Sequence, residues 1–361
     1  MDQASSGNVL FFIPDISGFT KFIAETEISH SQHIIKGLLE ALVDANSIGL
    51  KVSEFEGDAV LFYRHGAPPA VRDFVEQARQ MFVGFHTLLK RIELSRVCQC
   101  GACAGASGLT LKIVAHSGPA STLQVKDHVK FIGKDIIVAH RLLKNSVPDR
   151  EYLLLTRELL GSSGEAGVDA GLFKDGADSY DEIGTVEYGY MSLRKYRDEV
   201  KVEPPEPFAV KNPHKVMELS RHIHAPAALV FQTLIDLPGR MKWIDGIQKV
   251  ELHDDKANRI GAVHRCVREG NDPDLVTSDV KVTDTTMEFW ETDTKKMAAC
   301  RYLLRKVPEN ATELAMEFYV RGNFFVKLMF RAFMERKLRA GFEKSLANLA
   351  ALCEKVENRS P

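Results

Sequence analysis

FFIPDISGFT, Phe11 to Thr20, ends an apolar run and a proline on a lone aspartate, then passes through Ser-Gly before the chain turns polar. A carboxylate at the end of a buried strand has two readings. As a helix N-cap, Asp15 accepts hydrogen bonds from the unpaired amides of a first helical turn. As a metal ligand, it sits beside a turn whose backbone amides hold phosphate. Taken alone, the stretch favours the cap, which is the commoner arrangement.

The bulk of the chain narrows the setting. A length of 361 residues with 45% hydrophobic side chains fits about two domains, each with its own core. The 47 basic and 49 acidic residues leave a net charge of -2, so the sequence carries no electrostatic footprint for nucleic acid or for an anionic membrane as main partner. The opening MDQASSGN has no leader pattern, and no stretch has the roughly 18 apolar residues of a membrane span, so a cytoplasmic protein is expected. Six cysteines are too few for a disulfide scaffold, yet three crowd into Cys98-Gln-Cys100-Gly-Ala-Cys103.

The seam is DEVKVEPPEPFAVKNP, where four prolines and alternating charges interrupt any period. It divides residues 1–197 from residues 214–361, with 198–213 as linker. Upstream, strands are expected at Val9 to Ile13, Lys51 to Glu56, Ala59 to Tyr63, Leu109 to His116, Tyr152 to Thr156 and Thr185 to Leu193. Helices are expected at Gln32 to Ala45, Ala70 to Ile92 and Asp135 to Lys144. This mixture predicts an α+β fold, a sandwich of helices on a largely antiparallel sheet. Downstream, a strand at Lys215 to His224 and a helix at Ala227 to Ile235 precede strands from Val250 to Val320. A helix from Phe324 to Val356, apolar on one face, closes the chain.

Glu54-Phe-Glu-Gly-Asp58 changes the reading of Asp15. It places a second carboxylate on the turn of a hairpin, and two carboxylates are what Mg²⁺ usually takes from a protein. With LKIVAHSGP (Leu111 to Pro119) and GKDIIVAHRL (Gly133 to Leu142), in this order and spacing, these motifs resemble the class III nucleotidyl cyclase catalytic domain across Val9 to Leu193. The resemblance implies a ferredoxin-like α/β sandwich, two Mg²⁺ or Mn²⁺ ions on Asp15 and Asp58, and a triphosphate cradled by the backbone of Ile16, Ser17, Gly18, Phe19 and Thr20. It also implies attack of a ribose 3′-hydroxyl on the α-phosphate with release of pyrophosphate, Arg141 stabilising the transition state, and a site completed across a homodimer.

This chain departs from that pattern at several points. Glu54 stands at a base-selecting position and matches the guanylate type, while its companion position falls on Lys130, which matches neither type, so ATP and GTP both stay open. Ile137 replaces the asparagine that positions the ribose, and no lysine occurs near Glu187-Tyr188-Gly189, where a phosphate-contacting one is expected; Asn145 is one turn beyond Arg141. Each lost transition-state contact costs about two to three orders of magnitude in rate. The expectation is therefore a divergent cyclase-like domain that binds nucleotide with weak or no turnover, or else a pseudo-cyclase and dimerisation scaffold. FEGDAVLFY, the cysteine cluster and HRLLKN resemble more closely an uncharacterised bacterial branch of the same superfamily.

Cys98, Cys100 and Cys103 could ligate Zn²⁺ if His86, His116 or His140 supplied a fourth ligand; the alternative is a small-residue loop with free thiols. His30 and His33 read as solvated or capping histidines. MELSRHIHAP followed by VFQTLIDLPGRMKWIDGI, with Gly261 and the closing helix, resembles the START-like, polyketide-cyclase-type superfamily (SRPBCC) over Lys215 to Val356. That resemblance implies a helix-grip domain binding a hydrophobic small molecule or lipid. Its candidate cavity residues are Trp243, Phe289, Trp290, Phe318, Phe325 and Phe333, with Arg240, His264, Arg301 and Glu317 as polar handles.

Overall fold

The Phe11 to Thr20 stretch lies in and just beyond β1 (Gly7–Ser17), an inner strand of an eight-stranded sheet. Val9, Phe11 and Ile13 point to one face, where they pack with Ile136 and Ala139; Leu10 and Phe12 point to the other, where Phe12 stacks on Phe74. A strand buried on both faces has to be apolar without alternation, which is why this run reads as continuous. The ladder to the neighbouring strand lapses at Ile13 and Pro14, where proline brings no N–H, and resumes at Asp15↔Ala59 in the same register.

A computed structural model describes residues 7–24, 28–98, 105–162, 172–253, 259–269, 272–322 and 324–358. The chain falls into two compact units, Met1–Glu93 with Ala104–Glu203, and Leu94–Cys103 with Pro204–Pro361.

In the first unit β1 is followed by α1 (Phe19–Ala24), α2 (Ile28–Asp44), β2 (Lys51–Glu56), β3 (Ala59–His65), α3 (Val71–Ser95) and β4 (Thr110–Val125). Then come β5 (His128–Ile132), α4 (Lys134–Arg141), β6 (Tyr152–Thr156), α5 (Arg157–Ser162), β7 (Lys174–Tyr180) and β8 (Gly184–Ser192). The sheet order is β2-β3-β1-β4-β6-β8-β7, with β5 paired to β4. Its first four strands pair antiparallel, each with the next, in the order that defines the ferredoxin-like βαββαβ unit. The expected α/β sandwich is present.

Strand β4 is twice as long as its sequence predicts. His-Ser-Gly-Pro lies within it rather than at its end, because the chain continues past Pro119 to pair with β5. His116 is buried there, with its ring nitrogens bonded to Asp135 (2.9 Å) and Thr156 (3.0 Å). Gly118 faces the same aspartate so closely that a β-carbon would collide with the Asp135 carboxyl group. Gly118→Ala is expected to cost about 1–3 kcal/mol by overpacking, measurable as a lower unfolding midpoint with the sheet's circular dichroism retained.

The second unit contains β9 (Pro213–Ile223), α6 (Ala227–Ile235), a 3₁₀ turn at Pro238–Lys242, β10 (Lys249–Leu252), β11 (Val263–Val267) and β12 (Leu275–Val282). It continues with β13 (Thr286–Asp293), β14 (Ala298–Val307), β15 (Ala311–Arg321), α7 (Phe324–Phe333) and α8 (Glu335–Glu357). Its seven strands run β10-β11-β12-β13-β14-β15-β9, each antiparallel to its neighbour. Helix α8 lays Leu346, Leu349, Ala350 and Cys353 into a core shared with Trp243, Phe289 and Met316, a sheet gripping a long helix. The single closing helix read from sequence is two helices, broken at Met334.

Candidate functional site

Asp15 is inside β1, and α1 begins only at Phe19, so Asp15 does not cap it. Its cross-strand neighbours are Ala59 and Lys112. The Ile16 amide donates to the Asp58 carbonyl at 3.0 Å, tying the end of β1 to the β2–β3 turn. That turn has two residues, Gly57 and Asp58, with positive φ (69°) at Gly57 alone, as a type II′ hairpin requires. The glycine thus fixes where Asp58 is presented.

Both carboxylates have pKa values raised above their ordinary range. Burial lifts the Asp15 pKa, Lys112 pulls it down, the Asp58 charge pushes it up again, and it settles at about 6. Asp58 is also raised, chiefly by burial, with its own backbone amide and Lys112 opposing. Lys112, which the motif reading passed over, has its Nζ 3.5 Å from Asp15 and donates to the Leu143 carbonyl at 2.8 Å. The signal for it was the register: pairing PDIS against TLKI puts Lys112 directly opposite Asp15.

Because the folded pKa of Asp15 lies above its ordinary 3.8, the folded state holds its proton more tightly than the unfolded chain. That contribution to stability is full below about pH 4 and is lost as pH rises through 6. Asp15→Asn is therefore expected to stabilise the metal-free protein by about 1–3 kcal/mol at pH 7.5 and to change it little at pH 4. Thermal melts at the two pH values check this.

Around the pair, Glu54 and Lys130 meet at 3.3 Å, and Glu56 contacts His140 at 3.3 Å. The two positions expected to select the base thus engage each other. Ser17 and Phe19 are half-buried, Ile16 is buried, and Gly18 (φ 91°) and Thr20 are exposed at the turn into α1. Arg141 is exposed in the last turn of α4, and Ile137 is 50% exposed on the same helix. Asn145 does not substitute for the missing asparagine. Its side-chain amide donates to the Leu142 carbonyl (2.6 Å) and the Tyr152 hydroxyl (2.7 Å), closing the end of α4. Tyr188 and Gly189 are buried in β8, and Glu187 is exposed.

The zinc reading finds no support. Cys98 is buried in the apolar core of the second unit, and Cys100 and Cys103 lie outside the described residues. The three histidines offered as a fourth ligand are engaged elsewhere: His86 by Glu151 (2.8 Å), His116 by Asp135 and Thr156, His140 by Glu56. Among the described residues no cluster of three or more His, Cys, Asp or Glu side chains is arranged to hold a metal ion. His33 is half-buried on α2; the side chain of His30 lies outside the described set.

The cavity reading of the second unit needs correction as well. Trp243 and Phe289 are buried in the core, and Phe318 packs on Phe330 and Phe342. Trp290 does not face that core. Alternation along β13 turns it to the opposite face, against Tyr319 and beneath Arg301, where Arg301, Glu288, Glu317 and Lys215 form an ion-pair chain. Phe325 and Phe333 are 72% and 74% exposed on α7, which packs on the sheet through Phe330 and ends at the break at Met334. A cleft of about 440 Å³ does exist, but Pro205, Phe208, Ile260, Val263 and Val276 line it, none of them foreseen.

Two of the four polar handles, Arg240 and His264, are buried together on Glu291. Arg240 Nη1 and His264 Nε2 lie 2.7 and 2.9 Å from the same oxygen, Glu291 Oε1. Burial works to raise Glu291, but the Arg240 charge and His264 prevail and hold it at about 2.

Residues 214–354 match the family described as polyketide cyclase / dehydrase and lipid transport, and residues 35–152 match a family described as a protein of unknown function, DUF2652. Over 119 residues, a third of this chain, the sequence is 38% identical to the uncharacterized protein Rv2561/Rv2562 of Mycobacterium tuberculosis; the chain spans 55% of that relative's length. Similar solved structures include the guanylyl cyclase Cya2 (14% identity, 53% of this chain and 98% of that one, TM-score 0.38). The adenylyl cyclase CyaB from P. aeruginosa is similar at 14% identity, covering 52% and 95%, with TM-score 0.36. The guanylate cyclase domain of RhGC from Catenaria anguillulae, in complex with GTP, gives 20%, 52% and 96%, with TM-score 0.35. No helix among the described residues is long and apolar enough to cross a membrane.

Proposed function

We propose that the first unit is a divergent cyclase-like domain that binds a nucleoside triphosphate with divalent metal, and that the second binds a hydrophobic small molecule or lipid. The observation that carries the first half is the delivery of Asp15 and Asp58 to one spot, partly buried, with both pKa values raised. Two crowded carboxylates of this kind fit a hard divalent cation, which takes one or two protein carboxylates and leaves its other positions to water and phosphate. When bound there, Mg²⁺ or Mn²⁺ would neutralise triphosphate charge. Lys112 holds the Asp15 side chain in place and keeps a positive charge beside it, the turn at Ile16 to Thr20 offers backbone amides, and Glu54 with Lys130 faces the base. Arg141, exposed on α4, is available to a phosphate in a homodimer.

The site supports binding better than turnover. Ile137 cannot orient a ribose oxygen, Asn145 is committed to the end of α4, and Glu187 brings the wrong charge for a triphosphate. The second reading, a pseudo-cyclase that holds nucleotide or only dimerises, rests on those three residues. The family description matched by residues 214–354 includes lipid transport, and the sheet and helix enclosing an apolar core support a hydrophobic ligand for that unit.

Purified protein incubated with ATP or GTP and Mg²⁺ or Mn²⁺ tests the reading. Nucleotide binding with little or no cyclic product is the expected outcome, turnover that rivals an active cyclase contradicts the divergence argument, and absence of both contradicts the site.

A further inference from the structure

Among the described residues, the unanswered buried side-chain polar atoms gather in the second unit. Arg240, His264 and Glu291 are 1%, 0% and 3% exposed, with the Phe289 ring 5.8 Å from the guanidinium and Cys266, Cys300 and Tyr302 buried nearby. Taking paired charges out of water costs several kcal/mol per ion unless every remaining polar atom is satisfied. Here they are not. Among the described residues Arg240 Nε, His264 Nδ1 and Trp243 Nε1 are buried without a hydrogen-bond partner, as is Glu291 Oε1, whose approach to Arg240 and His264 is an electrostatic pairing rather than an aligned hydrogen bond.

The chemistry of the three nitrogens can be assigned. Glu291 Oε1 is 2.9 Å from His264 Nε2, so that nitrogen carries the proton; two lone pairs at this distance would repel. Arg240 Nη1 lies 3.0 Å from the same nitrogen and 2.7 Å from the same oxygen, so that Arg240 and His264 crowd one carboxylate oxygen and pair with it electrostatically. In the neutral ring, His264 Nδ1 is left as an acceptor, while Arg240 Nε and Trp243 Nε1 are donors. Trp243 and Arg240 sit on one short turn, the Trp243 amide donating to the Arg240 carbonyl at 3.1 Å. Two donors and an acceptor in an otherwise apolar core are complementary to a hydroxyl-bearing oxygen.

Resting on the reading of this unit as a hydrophobic-ligand domain, we infer that Arg240, Trp243 and His264 form an anchoring site for the hydroxyl or carboxylic-acid head of an otherwise apolar ligand, a phenol, enol or carboxylic acid. Glu291 is a positioning residue. It fixes the histidine tautomer and the guanidinium orientation.

The full-length protein, labelled with ¹⁵N and titrated separately with 2-naphthol, 2-naphthoic acid and naphthalene, tests the assignment. The chain has two tryptophans, so Trp243→Phe identifies the Trp243 indole N–H resonance by its disappearance. Naphthol or naphthoic acid should move that resonance and bind at least about tenfold tighter than naphthalene, the discrimination expected when a site built to hydrogen-bond an oxygen meets an analogue lacking it. In Trp243→Phe the preference should shrink severalfold. Equal affinity for the three probes with a stationary indole signal would mean that water alone answers the cluster and would overturn the anchor while leaving an apolar ligand site standing. No binding of any probe would overturn both. Should the variant fail to fold, the two indole signals of the unaltered protein still decide, since only the buried Trp243 is expected to respond.

Discussion

Replacing Asp15 or Asp58 with alanine is expected to weaken metal-dependent triphosphate binding by at least about 10- to 100-fold, the loss that follows even when only outer-shell partners of a metal are removed. The effect is large because the carboxylates are a cation's only charged protein contacts in this account. The two variants should differ in metal-free stability. Asp15 is the more buried and suffers the charge of Asp58, so its removal relieves the fold; Asp58 sits on the hairpin turn and its backbone carbonyl, which accepts from Ile16, survives substitution. A structural role for the pair would show the reverse, with stability lost and binding spared. Titration of each variant with Mn²⁺ and nucleotide, beside its thermal melt, separates the two.

Glu291→Ala is expected to destabilise the second unit by about 3–5 kcal/mol, because it leaves Arg240 and His264 buried without their counter-charge. Both tryptophans, Trp243 and Trp290, belong to that unit, so the fluorescence-detected urea transition reports it selectively and avoids treating a chain of two units as two-state. The double variant Arg240→Met with Glu291→Leu should recover much of the loss, since an apolar pair of similar volume removes the desolvation cost along with the attraction. A single-variant cost below about 1 kcal/mol would show that water reaches the cluster.

The regular elements were the legible part of the fold. The β2–β3 hairpin and strand β6 announced themselves through apolar runs and a Gly-Asp turn, and α6 appeared between Pro226 and Asp236 where its apolar face required. Short or amphipathic pieces did not: α1, β5, β7 and α5 have too few residues, or too polar a composition, to rise above the surrounding loops. The break at Met334 was illegible because the apolar spacing continues across it, and only the geometry shows that α7 meets the sheet through Phe330 while Phe325 and Phe333 stay exposed. Phe325 and Phe333 were misassigned for that reason, and Trp290 because a one-residue step in a strand reverses the face.

The site was legible where chemistry depends on residue type and adjacency in sequence, as in Asp15, Gly57-Asp58 and Glu54. It was illegible where it depends on cross-strand register. Lys112 stood inside a quoted motif, yet only its pairing opposite Asp15 gives it a part in the site. Glu291 is buried against Arg240 and His264 and had no motif at all; its significance comes from the 3₁₀ turn that brings Arg240 against it.

The measurement that bears most directly on the central claim is a calorimetric titration of the full-length protein with 3′-deoxy-GTP and 3′-deoxy-ATP, which lack the hydroxyl needed for cyclisation, in the presence and absence of Mn²⁺. Binding that requires the metal and is lost in Asp15→Ala is the predicted result. Absence of binding with metal present, or binding indifferent both to metal and to Asp15, would contradict the account.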